Sequence, residues 1–188
     1  MNTPEAPVRE EAAGGKRGFM GHRPRALWLA LFPLALGVLG ALFLLYPRQG
    51  RGGGPAPDFT LPLFDGGEWR LSAYRGQVVV VNFWGSWCTP CQIEMPALQE
   101  VWETYRDRGV VVVGVNVLDS RDDALAFLRE TGVTFPTGPD RDGSISAAYR
   151  VVGLPTTVFI DRQGRIAHRW LGPISRGRLT ALVEDLLP

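Results

Sequence analysis

"VVVNFWGSWCTPCQIEMP", Val79 to Pro96, contains Cys88 and Cys91, the only two cysteines of the chain. Valines 78–81, then Phe83 and Trp84, make an apolar run of the kind found in a strand buried on both faces. Gly85 and Ser86 interrupt it. From Thr89 the spacing becomes helical and is read to Arg108, with Ile93, Ala97, Leu98, Val101, Trp102 and Tyr105 on the apolar side. Pro90 falls in the first turn, where no backbone N–H is needed. Pro96 falls inside and should kink the helix, since it cannot bond back to Gln92. The two thiols therefore sit where a buried strand ends and a helix begins.

A CxxC pair can hold zinc, staple a loop or exchange disulfides. Zinc needs four ligands. The other candidates are His22 and His168, and there is no second CxxC, so no metal site is expected. A staple closing so short a ring gains roughly 2 kcal/mol at best in the loop-entropy account. Exchange fits better. Residues three apart in a helical turn share a face and lie within disulfide reach. The N–H groups of the helix start point at the first sulfur and favour its thiolate. Cys88 is then the exposed attacking thiol and Cys91 the more buried resolving one. The pair carries its own electrons, so no cofactor is expected. Glu94, one turn after Cys91, is the nearby acid.

The segments around this centre alternate. "DFTLPLFDGG" and "EWRLSAY" (58–74) read as a hairpin around Asp65-Gly66-Gly67. Gly109 ends the cysteine helix, and "VVVVGVNV" (110–117) is a second buried strand. Asp122 and Asp123 open a helix through Arg129 that Gly132 closes. "VTFPT" (133–137) is read as a short extended piece, and Ser144 to Tyr149 as a short helix. "TTVFID" and "RIAHRWLG" are two further strands, and a helix capped by Ser175 closes the chain. This is an α/β pattern, one central sheet with helices on both sides.

The N-terminal part differs in kind. Residues 1–25, rich in Pro, Gly, Glu and Arg, read as a disordered tail. Residues 26–46, "ALWLALFPLALGVLGALFLLY", carry no charge and match the roughly 30 Å of bilayer hydrocarbon. A buried core helix would show a polar face, and a signal peptide a shorter core and a cleavage site, so a single transmembrane helix is expected. Arg9, Lys16, Arg17, Arg23 and Arg25 precede it, against Arg48 and Arg51 just after. That bias puts the N-terminus in the cytoplasm and the redox domain, 58–188, outside the cell membrane. Residues 47–57 read as a Gly/Pro linker. With 20 basic and 19 acidic residues the net charge is +1, which argues against a nucleic-acid partner.

"FWGSWCTPC" followed later by "GLPTT" resembles the thioredoxin superfamily. "PDFTLPLFDG", "WCTPC", "EMP" and "VVGLPTTVFID" together resemble its membrane-anchored extracytoplasmic thiol-disulfide oxidoreductases of the ResA/TlpA type, a redoxin-like domain. The resemblance covers most of 57–188. It implies a thioredoxin-like fold, a central mixed β-sheet flanked by helices with an added N-terminal β-hairpin. It implies catalysis by Cys88, Cys91 and Glu94, with Glu94 matching a glutamate that such proteins carry at this spacing. It implies that Pro155 is a cis proline bringing the Leu154 backbone beside the sulfurs, where an extended client can pair. Trp87 is read as a client contact and Trp84 as core. The implied function is reduction of exported disulfide proteins, apocytochrome c with its CxxCH site among them, with a membrane donor of thiol type upstream. One departure stands out. Cytoplasmic thioredoxins bury an aspartate six residues before the first cysteine, where this chain has Asn82.

Three rival readings stay open, one of them a disulfide-introducing oxidant, because the direction of exchange depends on relative thiolate stability. The "PDFTLPLFDG" opening also resembles peroxiredoxins, which would make the protein a thiol peroxidase, although their peroxide-attacking cysteine follows a Thr-containing loop and does not rely on CxxC. A non-enzymatic copper-binding assembly module would use a CxxxC pair with a distant histidine; His168 exists, but the spacing here is CxxC.

Overall fold

A computed structural model describes residues 53–188. The expected tail, the transmembrane helix and most of the linker lie outside the described residues.

The core strand is β3, Val78–Trp84, and all seven of its residues are buried. Burial on both faces is what a run of valines suits, each worth about 1.5–3 kcal/mol when removed from water. It is buried because it lies in the middle. The five-stranded sheet has the order β5-β4-β3-β6-β7, with β4 at Val110–Val117, β5 at Thr137–Asp140, β6 at Thr156–Ile160 and β7 at Ile166–Leu171. β4 runs parallel to β3 and β5 to β4, whereas β6 and β7 are antiparallel, so the sheet is mixed. The ends of β3 and β4 and the start of β6 therefore share one end of the sheet.

Alternate residues of β3 serve two cores. Val78, Val80 and Trp84 meet α1 (Thr89–Tyr105), α2 (Arg121–Thr131) and α4 (Arg176–Glu184). Val79, Val81 and Phe83 meet the hairpin of β1 (Thr60–Pro62) and β2 (Glu68–Arg70), together with Ile145 of α3 (Ser144–Ala148). In the hairpin Leu61 lies opposite Trp69. Phe59 packs on Trp69 at 5.3 Å between ring centroids, and Trp69 stacks on Tyr74 at 5.0 Å.

Several boundaries depart from the sequence reading. α1 stops at Tyr105; Arg106–Arg108 tighten into a 3-10 turn, and Gly109 takes φ 80°, a left-handed value suited to glycine. Pro96 stands inside the helix, which continues for two more turns. Ile93, assigned to the apolar side, is 71% exposed. The buried stripe is set by Cys91 and runs through Glu94, Met95, Leu98, Val101 and Tyr105, the i, i+3, i+4, i+7 spacing of one helix face, and Ile93 is off it. α2 begins at Arg121, where the Ser120 side chain caps it by accepting from the Asp123 N–H. The extended piece expected at 133–137 is displaced: the strand is β5, which starts at Thr137. The linker reading extends over residues 53–57, yet Gly53 N donates to Ile166 O at 2.8 Å, Ala56 N donates to Gly164 O at 2.9 Å, and Pro55 bridges Arg165. They satisfy the otherwise open margin of β7.

Candidate active site

The strand–helix junction places the two sulfurs. Cys88 is the N-cap of α1, with extended φ −95° and ψ 97°, and its sulfur accepts the Cys91 N–H at 3.3 Å. Pro90 occupies the first turn. Cys88 and Cys91 form a disulfide with Cα atoms 5.3 Å apart. Cys88, expected to be exposed, is buried at 5% exposure, because the loop before it and the head of the helix close over it; Cys91 is 0% exposed, so Cys88 remains the more accessible of the two. A helix start turned toward Cys88 favours its thiolate once the bond is reduced.

The loop before Cys88 is tied to the end of β4. Asp119 accepts from Ser86 N at 2.6 Å, from Ser86 Oγ at 2.8 Å and from Asn116 Nδ2 at 2.8 Å. Trp87 Nε1 donates to Leu118 O at 3.1 Å. Leu118 takes φ 52°, a strained value for a bulky residue, and these bonds hold it there. The Trp87 ring lies against Gly85, where a Cβ would meet ring atoms at 2.9 Å. Asp119 did not emerge from the sequence, since a single aspartate after a buried strand carries no spacing signal.

Beneath the disulfide lies a buried polar cluster. Glu94 is 1% exposed. Asn82 Nδ2 donates to Glu94 Oε1 at 2.7 Å and to Thr157 Oγ1 at 3.1 Å, and Ile174 N donates to Glu94 Oε2 at 2.9 Å. Burial pushes the Glu94 carboxyl up to about 7, against the pull of the Asn82 and Ile174 hydrogen bonds. The folded domain thus holds this proton more tightly than the unfolded chain does. Its stability should fall as pH rises from the ordinary carboxyl value of 4.5 to about 7, and level off above. The span corresponds to roughly 3 kcal/mol. Glu94→Gln cannot ionise, so this slope should vanish from its chemical unfolding measured from about pH 5 to about pH 8. Equal slopes in both proteins would refute a buried titrating Glu94.

The Leu154–Pro155 peptide bond is cis. It precedes β6, whose Thr156 pairs with Phe83, so Leu154 and Pro155 stand at the same end of the sheet as the cysteines. Thr156 Oγ1 donates to Gly153 O at 2.6 Å and Gly172 N to Pro155 O at 2.8 Å, which fixes the loop from both sides. The exposed large apolar side chains among the described residues are Trp87, Ile93, Leu118, Val152 and Leu171; strand directions place Trp87, Leu118, Val152 and Leu171 at this end, and Ile93 lies near the start of α1, which begins there. Apolar side chains gathered around a reactive bond mark a contact surface. A groove of about 410 Å³ opens beside Trp87, with Phe127 and Ala126 on one wall and Asp123, Glu130 and Gln92 also lining it. His168 is elsewhere. It pairs with Phe159, itself opposite Val80, about 13 Å down the sheet from Trp84 at strand spacing, and lies 3.4 Å from Asp185.

The structure thus gathers Cys88, Cys91, Glu94, Trp87, Leu154 and Pro155 at one end and leaves His168 out. Comparison with known proteins bears on the family and the fold. Residues 53–169 match the AhpC/TSA family. The thiol-disulfide oxidoreductase ResA of Geobacillus thermodenitrificans is 36% identical over 165 residues, covering 87% of this chain and 95% of that protein. The ResA of Geobacillus kaustophilus is 39% identical over 136 residues, covering 72% and 78%. Among solved structures, a thiol:disulfide interchange protein of the thioredoxin family from Chlorobium tepidum superposes with TM-score 0.68 at 26% identity, covering 75% of this chain and all of that one. A secreted Mycobacterium tuberculosis disulfide oxidoreductase gives TM-score 0.63 at 26% identity, covering 68% and 96%.

Proposed function

The chain belongs to the AhpC/TSA family and, within the thioredoxin-like fold, to the ResA-type thiol-disulfide oxidoreductases, and from this we propose that it reduces disulfides in exported proteins. The observation that carries the reading is the Cys88–Cys91 disulfide at the head of α1, with the first sulfur outermost and Glu94 buried one turn below the second. A thiol donor at the membrane first reduces this bond. The Cys88 thiolate then attacks a client disulfide, one client sulfur leaves as a thiol, and the other stays bonded to Cys88. Cys91 gives its proton to the Glu94 carboxylate and attacks Cys88, and the client departs reduced. Glu94 suits this task because a base with a pKa near 7 can both take and release a proton near neutral pH. The client is an extended chain that pairs with the Leu154 backbone and rests on Trp87; apocytochrome c, with its CxxCH site, is the client class proposed. The test is the reduction potential of the Cys88–Cys91 pair in a thiol redox buffer. A reductase should lie near thioredoxin, at about −270 mV. A value near about −120 mV would make the protein an oxidant instead.

The same reading places the domain outside the cell membrane, on a helix formed by residues 26–46 with the N-terminus in the cytoplasm. The support is the charge-free stretch and its flanking cations. A phosphatase that matures only in oxidising space, fused after Pro188, should be active. An expressed but inactive fusion counts against this orientation.

A further inference from the structure

A proton taken from Cys91 has to be held in a closed site, and the side chain that meets Glu94 there is Asn82. It is the one polar residue of β3, and it is 0% exposed. Its Nδ2 faces two oxygens, Glu94 Oε1 at 2.7 Å and Thr157 Oγ1 at 3.1 Å. Its Oδ1 has no hydrogen-bond partner although it is buried. Packed interiors seldom leave such an acceptor unmade without a reason. An aliphatic side chain in its place would avoid the orphan altogether.

Both groups facing Nδ2 can also act as donors. The Thr157 hydroxyl rotates freely about its C–O bond. A protonated Glu94 is best placed with its O–H on Oε1, because Oε2 accepts the Ile174 N–H at 2.9 Å and the carbonyl oxygen is the better acceptor. Left as it stands, the Asn82 N–H would then point at another hydrogen. Half a turn of the amide puts Oδ1 in that place, with two lone pairs for two donors, and Nδ2 takes the unpartnered place that Oδ1 leaves. On the reading that Glu94 takes the Cys91 proton, we propose that Asn82 is a positioning residue whose amide turns with each protonation of Glu94. Nδ2 donates to the carboxylate, and Oδ1 accepts from the acid.

The step balances. The proton leaves Cys91 Sγ for Glu94 Oε1, the new thiolate attacks Cys88 Sγ, the bond from Cys88 to the client breaks, and the client leaves as a thiolate. Asn82 changes partner and never charge. The other surroundings do not duplicate this work. β6 contributes Thr157, the segment before α4 contributes the Ile174 N–H, and the helix itself contributes the two cysteines one and two turns earlier. The charged groups that α4 brings to α1, Arg176 on Glu100 at 3.0 Å and Glu184 accepting from the Tyr105 hydroxyl at 2.7 Å, are exposed. An aspartate at 82 would add a second charge beside Glu94, and an aliphatic residue would offer neither donor nor acceptor.

The test follows the resolving step in a single turnover. Reduced protein is mixed with a peptide carrying an activated aromatic disulfide, and peptide release is timed across pH. Wild-type release should show one inflection near 7, set by Glu94. Asn82→Leu strips the carboxylate of its side-chain donor, so the inflection should move up by about one unit, a roughly tenfold slower release below it. Asn82→Asp keeps the shape of the side chain and should show two inflections, one on each side of the wild-type value, because adjacent carboxyls share a proton. In the wild type the Asn82 side-chain amide resonances should shift through the Glu94 titration. Unmoved inflections in both variants, or amide resonances that stay flat, overturn the proposal. Glu94→Gln separates it from the reading beneath it. Release slowed about 100-fold in Glu94→Gln, with wild-type inflections in both Asn82 variants, removes only the role of Asn82. Wild-type release in Glu94→Gln removes the base as well.

Discussion

Cys91→Ser stops turnover after one event per molecule and leaves the client covalently bound to Cys88, whereas Cys88→Ser binds no client and turns nothing over. The asymmetry follows from the junction of β3 and α1. Cys88 caps the helix, its sulfur accepts a backbone N–H, and it is the outer of the two. The thiolate is the nucleophile, and a helix start lowers the cost of forming it. Cys91 is sealed at 0% exposure and can reach only what Cys88 already holds. Non-reducing gels and intact mass of the two variants, incubated with a disulfide-bonded client, read the outcome directly. Adducts on Cys88→Ser would reverse the two roles.

Gly138→Ala should lower stability by about 3 kcal/mol, the upper part of the range for overpacking a closed site. A methyl group there would land on the Pro62 carbonyl oxygen and against the Leu61 side chain. A flexible side chain could give way, but a backbone carbonyl cannot turn aside without disturbing the register of β1 with β2. Leu61 is 0% exposed and anchors the hairpin to the second core, so the cost spreads. Urea unfolding of the oxidised domain measures it. A change below about 0.5 kcal/mol, the scale of an ordinary surface substitution, would mean that the hairpin shifts freely over β5.

Gly138 also explains what the sequence concealed. β5 is Thr-Gly-Pro-Asp, a composition that reads as a turn. It is a strand because it lies at the sheet edge, where proline does no harm, and because only a glycine lets the hairpin approach this closely. The valine runs of β3 and β4 were legible for the opposite reason, since burial on both faces leaves no polar position to blur the pattern. The cysteine pair was legible because i and i+3 are neighbours on any helix. Glu94 could be named from its spacing, but its depth could not. The apolar residues of α1 suggested a stripe through Ile93, whereas the true stripe follows Cys91 and takes Glu94 inside with it. Its partners Thr157 and Ile174 come from distant segments that only the assembled sheet brings together. Asp119 is a similar case, a loop anchor whose meaning depends on where β4 ends.

The position of β3 between β4 and β6 also sets an order in time. Its pairing with β4 closes a moderate loop, but its pairing with β6 joins Val79 to Ile160. Contacts of such separation form late, because the entropy of closing the loop is spent before the strand bonds repay it. The cysteines, three residues apart, need no such closure. Under oxidising conditions an unfolded chain can therefore bridge Cys88 to Cys91 while Glu94 still stands in water, before Thr157 and Ile174 arrive to enclose it. The covalent half of the centre needs no long-range pairing, whereas the polar cluster around Glu94 closes only once β6 and the segment before α4 are in place.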